Sequence, residues 1–246
     1  MSFRARQLVA FLPAVLVPMI VLALFVRGEM TDRITAQYEA RVTALVAVIE
    51  DDLTHESQTI THSLSVLRAA VVDDNRFRRA VVDRAPEERR YLLDYAVNAM
   101  QLAGLSMLQF QDETGRIISS GQFRNEYDRL EPTLPKLLAS TPEGTALVLA
   151  RAPDAPFLAL ASVDSFQMGG RRFTIIAGEE VGYHFLSHLA REGEFTVSVI
   201  YPGGVLTSDA ESGGPGDDPS QDSATIKEIV RELDVPFVDS ERGEET

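Results

Sequence analysis

The chain has 246 residues, no cysteine and no tryptophan, and a formal net charge of −14 at pH 7. All 37 acidic residues but only 20 of the 23 basic ones lie beyond Gly28, so that part carries −17. The absence of cysteine excludes disulfides and thiolate metal sites. The charge, with no arginine and aromatic alternation to offset it, excludes a nucleic-acid surface.

Residues 1–7 carry Arg4 and Arg6, and residues 8–26 then run without a charge. Nineteen residues at 1.5 Å each roughly match a hydrocarbon core of about 30 Å, so 8–26 reads as a transmembrane helix. Pro13 and Pro18 are tolerated better in a membrane helix than in a soluble one. The run exceeds the core of a cleaved signal, and the segment after it lacks a small-x-small site. The basic start places the N-terminus in the cytoplasm and the rest outside, across the inner (plasma) membrane.

Beyond the span, Ile34, Tyr38, Val42, Leu45, Ile49, Leu53, Ile60, Leu64, Leu67 and Val71 recur in steps of four and three, missing one at Glu56. They make one apolar face of a long helix. Its nearer part, Ile34, Tyr38, Val42, Leu45 and Ile49, is expected to form a homodimer seam, and its farther part to pack on its own domain. His55 and Glu56 read as solvated surface. A short helix follows to Val82, then another from Pro86 that Gly104 stops.

At Leu105 the period changes. Strands are expected over 105–112, 116–120, 145–151, 157–166 and 171–177, with turns at 112–115 and 168–170 and a short helix at 134–139. This order predicts an α+β fold, a five-stranded antiparallel sheet with flanking helices. A helix at 181–192, a hairpin over 195–208, a polar loop at 210–223, a helix at 225–233 and a strand at 235–238 follow. Residues 181–238 read as part of a second, membrane-proximal module, and 239–246 as a polar tail where a longer chain was cut.

The stretch MLQFQDETGRIISS over 107–120, followed by GQFRNEYD over 121–128, resembles the extracytoplasmic Cache and PAS-like sensor regions of bacterial membrane histidine kinases. The order of one membrane helix, a long exterior helix, a short helical region, this hairpin and three more strands is similar to the same family over 30–180. The resemblance implies a membrane-anchored sensor for two-component signal transduction, detecting a small molecule or an envelope partner. Kinase activity would then belong to an output region outside these residues, and the chain itself is expected to be non-catalytic. In this family a loop covers the open sheet face after the hairpin, where Phe123, Arg124 and Tyr127 lie, with Arg151 and Asp164 on neighbouring strands. Together they would hold a small carboxylate or amino acid.

Other chemistry is poorly served. His184 and His188 share a helical face with Glu180 one turn upstream, but Phe185 stands where a hydrolytic zinc helix needs glutamate. No Gly-x-Ser-x-Gly elbow exists, and Gly169-Gly170 and Gly203-Gly204 read as hairpin turns. No catalytic residue, metal or cofactor is therefore expected. The competing reading is an envelope structural or protein-docking module without a small ligand.

Overall fold

The computed structural model describes the backbone of residues 3–82, 86–141, 144–190, 196–202, 204–208, 235–239 and 244–245. Side chains before residue 40, other than Met19 and Gln37, lie outside the description. So do the expected loop at 210–223 and helix at 225–233.

Helix α1, Phe3–Asp73, contributes to two compact units, its residues to Glu50 to the first and the remainder to the second. In the first unit, the stretch 8–26 is helical in backbone, with its side chains outside the description save Met19. Among the described residues no helix is long and apolar enough to cross a membrane. Of the expected seam, Val42, Leu45 and Ile49 are half-buried, and Ile34 and Tyr38 lie outside the described side chains.

The second unit is built on a sheet of order β2-β1-β5-β4-β3-β8-β9. Its members are β1 (Met107–Gln111), β2 (Ile117–Ser120), β3 (Thr145–Ala150), β4 (Phe157–Met168), β5 (Arg171–Glu180), β8 (Phe237–Asp239) and β9 (Glu244–Glu245). The first five form the expected antiparallel sheet. The segment read as the end of a second module adds β8 to it, parallel to β3, and β9 lies within the polar tail. The intervening β6 (Ser198–Tyr201) and β7 (Gly204–Thr207) pair as a separate hairpin.

One sheet face is covered by helices. The farther part of the α1 repeat buries Ile60, Leu64 and Val71, while α2 (Asn75–Val82) and α3 (Arg89–Ala103) complete the layer with Phe77, Leu92 and Ala96. Opposite them lie Leu108 and Phe110 of β1 and Phe173, Ile175 and Ala177 of β5. The Ser119 hydroxyl of β2 enters the hydrogen-bond ladder of α3, donating to the Leu92 carbonyl and accepting from the Ala96 N–H. It pins helix to strand. The other face is covered by α4 (Thr133–Ser140), whose Leu134 and Leu138 meet Met107, Ala146, Val148, Ala159, Ala161 and Ile176.

Turn chemistry fixes the register. Gly169 and Gly170 both have positive φ, 58° and 78°, as the two-residue turn joining β4 to β5 demands. Gly115 has φ 80°, and a Cβ there would lie 2.5 Å from the Pro132 Cα, so only glycine lets the following loop close over the β1–β2 turn.

Asp74, between α1 and α2, caps the second helix. Its Oδ1 accepts from the backbone N–H groups of Arg76 and Phe77 at 2.8 and 3.0 Å, and its Oδ2 from the Tyr91 hydroxyl at 2.6 Å. Burial alone would push its carboxyl up, but the Tyr91 hydrogen bond, the two backbone donors and the Arg76 charge hold it below the ordinary value of 3.8. Asp74→Ala should cost about 1–2 kcal/mol in urea unfolding. The stabilisation is present above pH 3.8 and is lost as acid protonates the folded carboxylate. An unchanged unfolding midpoint at pH 7 would remove the cap from this account.

Candidate functional site

The α4-covered face carries a buried polar network. Alternation along β1 puts Met107, Gln109 and Gln111 on this face and Leu108 and Phe110 on the other. A half-buried sheet would leave such glutamines in water, but here both are enclosed, Gln109 at 2% and Gln111 at 0% exposure. The Gln111 Nε2 donates to the Glu131 carbonyl at 3.1 Å. Among the described residues, Gln109 Nε2 and Gln111 Oε1 have no hydrogen-bond partner. Such orphaned buried groups cost about 1–3 kcal/mol each unless a ligand or water meets them.

The loop after β2 supplies charge beside them. It is laced to the hairpin by three backbone hydrogen bonds: Asp128 N–H to Ile117 O, Ile117 N–H to Arg129 O, and Glu131 N–H to Gly115 O, at 2.9, 2.9 and 2.7 Å. Asp128 takes a positive φ of 74° and its carboxylate accepts from Arg116 Nη1 at 2.9 Å. That lacing holds Arg129 between two acids, with Nη1 2.6 Å from Glu131 Oε2 and Nη2 2.9 Å from Glu126 Oε1. With side-chain exposures of 4% for Glu126, 7% for Glu131 and 33% for Arg129, two enclosed acids meet a cation that still reaches water. Burial pushes the Glu126 carboxyl up, against the charges of Arg129 and Arg151, which pull it down.

Of the residues expected to bind a ligand, Arg151 adjoins this triad through its charge on Glu126. The others go elsewhere. Arg124 pairs with Asp94 of α3 at 2.7 Å, and the Tyr127 ring lies under the Arg89 guanidinium at 4.7 Å. Half-buried Phe123 donates its N–H to the Ser120 hydroxyl at 3.3 Å. Asp164, on the helix-covered face, pairs with Arg68 of α1 at 3.0 Å. Sequence reading passed over Gln109, Gln111, Glu126, Arg129 and Glu131. Alternating glutamines on a strand that must also bury Leu108 and Phe110 were the available sign.

Two clefts lie away from this network. One of about 550 Å³ between α1 and α3 is lined by Val66, Leu67, Leu102, Tyr91, Tyr95 and neighbours, with no arginine or lysine to meet a carboxylate. The other, of about 440 Å³, lies between α1, the end of β5 and α5 (Tyr183–Leu189), and takes in His184 and His188. Among the described residues no three histidine or acidic side chains are grouped to share a metal ion.

The solved structures to which the chain is similar are two sensor domains and one periplasmic domain. The sensor domain of the V. cholerae histidine kinase DctB is 12% identical, over 66% of this chain and 67% of that one, with a TM-score of 0.39. The E. coli DcuS sensor domain is 14% identical over 56% and 96%, TM-score 0.36. The periplasmic domain of Vibrio cholerae LuxQ is 15% identical over 67% and 82%, TM-score 0.40. No protein-family model and no curated protein matches the chain.

Proposed function

We propose that the chain is the membrane-anchored, extracytoplasmic input region of a two-component sensor, and that it takes a small carboxylate or amino acid on the α4-covered sheet face. The observation that carries this reading is the pair of enclosed, unpartnered amide atoms on Gln109 and Gln111 beside the Glu126, Arg129 and Glu131 triad. A donor nitrogen and an acceptor oxygen on one strand face suit a molecule carrying both an acceptor and a donor group. Arg151 supplies the anion partner at the edge. Residues 8–26 anchor the chain with its N-terminus in the cytoplasm. Ile34, Tyr38, Val42, Leu45 and Ile49 pair two copies, so that a shift of the sheet is carried along a stiff helix.

The test is a thermal-shift screen of amino and organic acids on the full chain in detergent, followed by titration of the hit. Losing a charge-assisted contact costs about 1.5–3 kcal/mol, so Arg151→Ala should weaken binding by about 10- to 100-fold. Gln109→Met, which keeps the volume and removes the donor, should weaken it as well. A folded protein that responds to no acid favours the docking module. A hit indifferent to both substitutions keeps the sensor reading and discards this site.

A further inference from the structure

The second cleft carries an inference independent of the ligand reading. Its walls come from three elements: α1 offers Asp52, His55 and Glu56, β5 ends there with Glu179 and Glu180, and α5 adds Tyr183, His184 and His188. Among the described residues no arginine or lysine lines it. Glu56, expected to be solvated, is half-buried, as is Glu179, and both line this cleft, one from the helix and one from the strand. Two carboxyl groups facing one cleft can hydrogen-bond to each other only while they share a proton.

We propose that Glu56 and Glu179 form a proton-operated latch, closed when they share a proton and released when both ionise, so that external pH sets how firmly this turn of α1 is held to the sheet. Location gives the latch its effect. Glu56 lies one helical turn before Ile60, where the buried run Ile60, Leu64 and Val71 begins, so the contact can open while the core stays closed. Asp52 and Glu180 line the same cleft. Among the described residues, the basic side chains lining this cleft are the imidazoles of His55, His184 and His188, all exposed to water.

The direction follows from the Glu179 carboxyl. Burial first, then the hydrogen bond and charge of Glu56, push it from 4.5 up to about 7. A folded value above the unfolded one means the stabilisation is complete below pH 4.5 and is lost as pH rises from there through about 7. Acid closes the latch and neutral to alkaline conditions open it.

Amide hydrogen exchange of the full chain in detergent, at pH 5.5 and pH 8 with intrinsic rates corrected, reads the latch in peptides covering 50–60. Protection there should fall about tenfold or more between the two conditions, since each pH unit between the ordinary value of 4.5 and the shifted one of about 7 weakens the closed state tenfold. Peptides covering 107–111 should not change. Glu179→Gln and Glu56→Gln each carry a permanent amide donor and should hold the protection at both pH values. His184→Gln with His188→Gln should leave the pH response in place. A response that survives both glutamate variants, or disappears with the histidines, overturns the latch, as does pH-independent protection in the unaltered protein. Either glutamate variant suffices should the other fail to fold.

Discussion

Arg129→Met should cost about 3–5 kcal/mol of stability at pH 7, the penalty for stripping the partner from buried charge. Glu126 and Glu131 are left facing each other with almost no water, and methionine replaces the arginine stem but not its donors. The loss should shrink as pH falls, because protonating Glu126 removes charge that needs a partner. Glu126 already leans that way in the unaltered protein: with its carboxyl held above 4.5, its own contribution to stability declines as pH rises past that value. Adding Glu126→Gln to Arg129→Met should restore part of the loss, and urea melts of the two single variants and the double give the coupling directly. A penalty below about 1 kcal/mol would mean the triad is wetter than its geometry implies, and would weaken the case for a ligand beside it.

Phe77→Ala should cost a similar amount, about 3–5 kcal/mol, by opening a cavity where three elements meet. The ring, fully enclosed on α2, stands 4.6 Å from Tyr95 of α3 and 5.5 Å from Phe110 of β1, and Tyr95 stands 5.6 Å from Phe110. Such tilted aromatic pairs add about 0.5–1.5 kcal/mol beyond burial. The same burial pushes the Tyr95 hydroxyl up to about 12, so it stays neutral in working conditions. Thermal melting measures the loss, and Phe77→Leu should show less of it. Equal losses for both would place the energy in ring contacts and not in volume.

The elements of the sheet were legible because each announces its own period and its own punctuation. Gly104 takes the left-handed cap expected where α3 stops, with φ 67°, and the two glycines after Met168 take the two positive φ values of a tight hairpin. Ile60, Leu64 and Val71 point inward as their spacing requires. The site was harder to read for a physical reason. Charge on a loop normally means solvent, so Glu126 and Glu131 gave no sign that backbone lacing to the β1–β2 hairpin would carry them out of water. Arg124 and Tyr127 carry the chemistry a ligand wants, yet α3 offers Asp94 and Arg89 nearer at hand. Pairing of distant segments is equally silent in local pattern: nothing in residues 237–239 says that they lie parallel to β3. Glu56 broke the apolar repeat and read as a gap, although a miss in an otherwise regular seam marks where a polar partner waits on the facing strand.

The order of strands in the sheet also sets how it assembles. The hairpin of β4 and β5, joined by its two-residue turn and paired from Met168 with Arg171 to Ala159 with Glu180, closes locally and at small entropic cost. β3 adds to it from just upstream. In contrast, Met107 must find Gly178, and Leu147 must find Phe237, across long intervening chain. Folding should therefore nucleate in the middle of the sequence and grow outward, with β1 and the parallel β8 arriving late and setting the rate. Until β8 arrives, the edge of β3 stands open, and crowding or slow synthesis exposes it to strands from other chains.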